Sequence, residues 1–156
     1  MADAATISVT ATMLPDEIAK TITGSMTVTP TDANDKWYYK LTGITTTSAQ
    51  LIAVSFVNYT ALAPATGMTA ITTSDKVRFL FVQNQSTTDG IMLSIDGGTA
   101  VNSLVDGIFI GASETWFAQL PNATVGNLTA ISSDIAAVGS ATANAIVIAL
   151  LDDVSV

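Results

Sequence analysis

The chain has 156 residues, with 13 Asp and Glu against 5 Lys and Arg, a formal net charge of −8 at neutral pH and a pI near 4.1. With 0 Cys and 0 His, it has no disulfide framework, Cys/His zinc site, thiol nucleophile or His-based triad. Clustered cations are lacking as well, so neither nucleic acid nor an anionic membrane is expected as a partner.

Hydrophobic residues make up 49% of the chain and charged residues 12%, about half the roughly 25% charged share of ordinary soluble domains. The mean hydropathy is +0.49. The longest apolar run, Ala145 to Leu151, is far short of the ~20 residues that cross a bilayer as a helix. An apolar chain this poor in charge often covers part of its surface with a partner.

The opening residues, MADAATISVT, have no basic start and no apolar run, so we expect no secretory signal and a chain made in a cytoplasm. From Thr6 to Met13, Ile7, Val9, Ala11 and Met13 alternate with Thr6, Ser8, Thr10 and Thr12. The alternation returns from Thr21 to Thr29, with Ile22, Met26 and Val28 opposite a row of hydroxyls. A period of two residues predicts strands with one apolar and one hydroxyl face. Leu14 to Lys20 reads as a loop or one helical turn, and Pro30 to Asp35 as a turn cluster.

Lys36 to Leu41 predicts a strand whose Trp37, Tyr39 and Leu41 alternate with lysines as core residues do. Leu51 to Tyr59 is a further β-rich run, and Ala61 to Thr69 a connection. Val77 to Gln83 is nearly continuous in apolar residues, as in a strand buried on both faces. Ser86 to Gly90 then predicts a hairpin into Ile91–Ile95, followed by the turn Asp96-Gly97-Gly98. Ile108–Ile110, Thr115–Leu120, Asn127–Ile131 and Ala145–Leu151 complete the set, with one helical turn at Ser133–Val138. The sum is an all-β, antiparallel β-sandwich of nine or ten short strands, jelly-roll-like or immunoglobulin-like. Residues 1–35 read as Thr-rich strands forming an arm and 36–156 as the sandwich; a single domain over 1–156 also fits.

No catalytic constellation is present. Asp89-Gly90 and Asp96-Gly97-Gly98 lack the alternating ligands and distal Glu of a calcium loop, and Asp-Gly is a preferred turn pair. Asp16-Glu17 and Asp152-Asp153 are adjacent carboxylates, which a strand points apart. No Ser-x-x-Lys, Gly-x-Ser-x-Gly or phosphate-binding loop occurs. No cofactor, metal or small-molecule substrate is expected. Trp37, Tyr38, Tyr39, Tyr59 and Trp116 have the chemistry of a sugar-stacking platform, although Trp37, Tyr39 and Trp116 equally suit a core.

Lys76–Gly98 (KVRFLFVQNQSTTDGIMLSIDGG), Gly107–Ser133 and Ala141–Asp153 together resemble the small β-sandwich proteins of tailed-bacteriophage virions, including capsid decoration (cement) proteins. The resemblance lies in a strand, Asn, turn, strand and Asp-Gly-Gly series, followed by Gly-x-x-Glu-x-Trp leading into the next strand. It implies a non-enzymatic structural protein on the outer surface of an assembled capsid. The major capsid protein or other virion proteins would be its partners, and a homo-oligomer, as a trimer, its form. Such proteins act through surfaces, so no functional residue carries over. Ile7, Val9 and Met13 on the N-terminal segment, with Trp37, Tyr39 and Trp116, are the candidate interaction residues. A neck, tail or fibre position, or a carbohydrate-binding, adhesin-like module, are the alternatives.

Overall fold

The computed structural model describes residues 4–13, 20–31, 35–54, 70–100, 107–121, 123–133 and 142–152. The expected loop over residues 14–19, the connection over 61–69, Tyr59 and the helical turn over 134–138 lie outside the described residues. The chain divides into two compact units, Met1–Ala33 and Asn34–Val156.

The first unit is an antiparallel ribbon of β1 (Ala5–Met13) and β2 (Lys20–Val28). Its register sets Ala5, Ile7, Val9 and Ala11 opposite Val28, Met26, Gly24 and Ile22, and Thr6, Ser8, Thr10 and Thr12 opposite Thr27, Ser25, Thr23 and Thr21. Directly opposed residues share a face. One face is therefore apolar and the other carries hydroxyls throughout.

The second unit contains β3 (Lys36–Ile44), β4 (Ala49–Gln50), β5 (Lys76–Asn84), β6 (Gly90–Ser94), β7 (Ile108–Ile110), β8 (Thr115–Gln119), β9 (Thr129–Ser133) and β10 (Ala143–Asp152). A single 3-10 turn, Val125–Asn127, precedes β9. The strands form two four-stranded sheets, β3-β10-β5-β8 and β4-β9-β6-β7. Each strand pairs antiparallel with its mirror along the chain: β3 with β10, β4 with β9, β5 with β8 and β6 with β7. The segment is thus one long double ribbon, turned back between β6 and β7 and rolled up. The pairs β5–β10 and β6–β9 complete the two sheets. This is jelly-roll order; an immunoglobulin constant domain divides its strands four and three.

The core lies between the sheets. Tyr38, Leu80, Val82, Val147 and Ala149 of one sheet meet Ile91, Leu93, Ile110 and Ala130 of the other in a single cluster. Leu51, Ile52, Ile71, Val125 and Leu128, from outside the strands, extend it. On the inner face of β10, Ala143, Ala145 and Ala149 are fully buried beside larger partners, the small-against-large matching that fills such an interior.

Three expectations need correction. Of the strand expected over Leu51–Tyr59, the described part, residues 51–54, is not in a strand: Leu51 and Ile52 are buried core residues just beyond the two residues of β4, and residues 55–59 lie outside the described residues. The turn ending in Asp89-Gly90 does not close a hairpin, because β5 and β6 belong to opposite sheets. Asn84 makes it a corner: its side-chain amide donates to the carbonyls of Asp89 (2.7 Å) and Gly111 (3.0 Å), and its Oδ1 accepts from the Ser86 N–H at 2.9 Å. Finally, β3 is turned over relative to the expected register. Tyr38 is the fully buried residue, whereas Tyr39 is 47% and Leu41 58% exposed.

The inward lysine that this orientation requires has a partner. Lys36 is buried, and its Nζ lies 3.4 Å from Oδ2 of Asp75. Asp75 also accepts hydrogen bonds from the Thr72 N–H and hydroxyl. The Tyr38 hydroxyl accepts from the Ala53 N–H at 3.3 Å. Burial raises the pKa of that hydroxyl above its ordinary value, and the Ala53 bond opposes the shift.

Candidate interaction surface

β5 and β10 are adjacent strands of the same sheet, and both are apolar on both faces. One face of each fills the core. The other lies on the outside of the sandwich, where a solvated antiparallel sheet ordinarily carries polar side chains. The register places Tyr39, Ile148, Phe81 and Phe117 in one row across all four strands. A neighbouring row holds Leu41, Ile146, Gln83 and Thr115, and the row on the other side holds Trp37, Leu150, Phe79 and Gln119.

Exposure varies across this face. Tyr39 and Leu41 are exposed, Ile146, Ile148, Phe81, Phe117 and Trp37 are half-buried, and Phe79 and Leu150 are buried. Trp37 is held edge-on against Phe79, with ring centroids 6.5 Å apart and planes at 69°, a favoured aromatic arrangement. None of the residues in these three rows is charged. Rows ~6.7 Å apart on strands ~4.8 Å apart give the face an area of roughly 400 Å². Part of that area is already covered, at Phe79 and Leu150, and part is polar, at Gln83, Thr115 and Gln119, so the exposed apolar patch is smaller, with Tyr39 and Leu41 as its exposed members.

The face ends at a charged corner. The β5–β10 register skips Arg78 at a bulge beside Leu150 and Leu151. The Arg78 guanidinium donates through Nη2 (2.8 Å) and Nε (3.2 Å) to Oδ2 of Asp152. This pair is partly solvated and only modestly stabilising.

Of the candidate interaction residues, Trp37 and Tyr39 lie together on this outer face. Trp116 points the other way, paired with Val82 and packed against the core. Ile7 and Val9 lie on the apolar face of the β1–β2 ribbon, half-buried and exposed respectively. Met13 is paired with Lys20 at the end of that ribbon. The aromatic set weighed as a sugar platform is therefore divided: Trp37 and Tyr39 face outward, Tyr38 and Trp116 inward.

The residues that sequence reading missed are Leu41, Phe81, Phe117, Ile146 and Ile148. For Phe81, Ile146 and Ile148 the signal was present in Val77–Gln83 and Ala145–Leu151, two nearly continuous apolar runs. In an antiparallel sandwich such runs leave one apolar face outside.

Among the described residues no group of three or more acidic, His or Cys side chains is placed to hold a metal. No described helix is long and apolar enough to cross a membrane. No family model, curated protein or solved structure matches this chain.

Proposed function

We propose that this protein is a non-enzymatic structural component of a virus particle, binding the outer surface of an assembled capsid as a decoration or cement protein. The supporting observation is the uncharged outer face of the β3-β10-β5-β8 sheet, with Tyr39 and Leu41 exposed at its edge. A rolled β-sandwich with such a face suits attachment to another protein surface, and jelly-roll order is common to viral structural proteins and to lectins.

Magnitudes favour a many-subunit partner. Burying the whole face, roughly 400 Å², would contribute at most about 10 kcal/mol at ~25 cal/mol/Å². Association costs consume an estimated 4–15 kcal/mol of that. The face alone therefore binds weakly, and firm attachment needs a contact extending over a second subunit, as at a joint between shell proteins. A ligand that binds only the assembled lattice stabilises that lattice by mass action.

The test is the copy number of this chain, by quantitative mass spectrometry, in nuclease-treated, gradient-purified particles from the source lysate. A ratio to the major shell protein near one per lattice position supports decoration. A few copies per particle would place it in the neck, tail or fibres. Free protein at the top of the gradient would refute the virion reading and turn attention to glycans, with Trp37→Ala as the first variant.

A further inference from the structure

We propose that the outer edge of β3 binds an extended segment of another protein by strand addition: a segment whose residues alternate between apolar and acidic pairs with Tyr39, Leu41 and Gly43 and lengthens the β3-β10-β5-β8 sheet by one strand. This goes beyond capsid attachment and does not depend on it.

β3 stands at one end of its sheet, and the register fixes which of its backbone groups face outward. The Gln85 N–H donates to the Asn144 carbonyl, so Asn144, and with it every second residue along β10, turns its backbone groups toward β5. The residues between, Ala143, Ala145, Val147 and Ala149, turn theirs toward β3, opposite Ile44, Thr42, Lys40 and Tyr38. The N–H and C=O of Tyr39, Leu41 and Gly43 therefore point away from the sheet. Thr45, next in that series, shows the same direction, since its carbonyl accepts from the Ser132 N–H at 2.8 Å. Among the described residues no hydrogen bond engages the outward backbone groups of Tyr39, Leu41 or Gly43.

The other edges of the two sheets are short: β8 has 5 residues, β7 has 3 and β4 has 2, against 9 in β3. A long open edge is a ready template for a further strand. The same three residues are exposed on the outer face of the sheet. An added strand thus meets the apolar side chains of Tyr39 and Leu41 where it also meets unpaired backbone. Strand addition draws its affinity from such main-chain bonds and its specificity from the alternating side chains.

Charge selects the occupant. Lys40 is the one charged residue from Tyr39 to Gly43, and the β10 residues opposite, Asn144 to Ile148, carry no charge. Lys40 is half-buried on the inner face of β3, and the residue opposite it on an added strand lies beside it. A carboxylate is favoured there and a second ammonium group is not. Pairing β3 with β3 of a second copy would set two Lys40 side chains near one another on one face, between molecules that each carry −8. The occupant is accordingly a segment of a different protein, acidic beside Lys40 and apolar beside Tyr39 and Leu41.

Amide hydrogen exchange of the full chain, followed by NMR with and without the capped probe peptide Thr-Val-Glu-Val-Glu-Val-Thr, tests this. In the protein alone, the amides of Tyr39, Leu41 and Gly43 should exchange fast and those of Tyr38, Lys40 and Thr42 slowly. The peptide should bind saturably with a Kd below about 1 mM and slow the three fast amides. N-methylation of its central Val, whose N–H faces β3, should weaken binding about tenfold. N-methylation of a Glu, whose N–H faces away, should change it by no more than about twofold. A peptide with Lys in place of both Glu should bind at least about tenfold more weakly. No saturable binding, or binding that leaves the Tyr39, Leu41 and Gly43 amides fast, would overturn the proposal. So would equal losses from the two N-methylations, or a Lys peptide that binds as tightly as the Glu peptide.

Discussion

Asn84 and Gly111, 27 positions apart, are joined by a 3.0 Å hydrogen bond from the Asn84 side-chain amide to the Gly111 carbonyl. The bond ties the corner after β5 to the turn after β7. Around it, the Asn84 N–H donates to the Glu114 carbonyl and the Ser113 N–H to the Ser86 carbonyl. The Glu114 carboxylate accepts from the Gly111 N–H at 2.8 Å. The Asn and the Gly-x-x-Glu that carry part of the sequence resemblance therefore meet at one corner with the Asp89-Gly90 turn, where their role is structural.

Replacing Asn84 with Ala orphans several carbonyls in a buried site and should cost about 3 kcal/mol. For a chain of this size that lowers Tm by about 10 °C. Thermal unfolding followed by circular dichroism checks it.

Asp75 is fully buried and neutralises the inward Lys36 at 3.4 Å. Asp75→Ala leaves a buried ammonium group without this partner and removes the acceptor for Thr72. The expected loss is about 3–5 kcal/mol in urea unfolding. By contrast, Asp152→Ala, at the partly solvated Arg78 pair, should cost about 1 kcal/mol or less.

Asp96 shows how a turn carboxylate is tuned. The Ser94 hydroxyl donates to its Oδ1 at 2.7 Å and the Gly98 N–H at 3.0 Å, and these bonds hold its pKa below the ordinary 3.8. Because the folded value is depressed, the stabilisation is present above the unfolded pKa and is lost as pH falls through the folded one. An NMR titration of the Asp96 carboxyl should give a midpoint below 3.8, and Ser94→Ala should move it up.

Much of the fold was legible in the residues, for physical reasons that also mark where legibility ended. Thr6–Met13 and Thr21–Thr29 announce their strands because a period of two fits a sheet with one covered face. Strand order could not be read that way, since spacing along the chain does not say which sheet a strand enters. Asp89-Gly90 suits a hairpin and a corner equally; the long-range bonds of Asn84 decide between them. On β3 both faces carry aromatics, and a one-residue slip exchanges them. The buried Lys36–Asp75 pair sets the orientation, and its partner lies 39 positions away. The outer apolar face was missed for a related reason, because continuous apolar runs were assigned wholly to burial.

The central claim is that the outer face bearing Tyr39 and Leu41 holds the protein to a shell. Its most direct test is the occupancy of wild type, Tyr39→Asp and Leu41→Asp on particles that have been stripped of the protein and re-supplied with it. Both side chains are exposed, so unchanged thermal melting should confirm that the variants fold. The account predicts near-complete occupancy by wild type and at least about a tenfold fall in apparent affinity for each variant, the effect of losing about 1.4 kcal/mol. Equal occupancy by all three, or none by wild type, would contradict it.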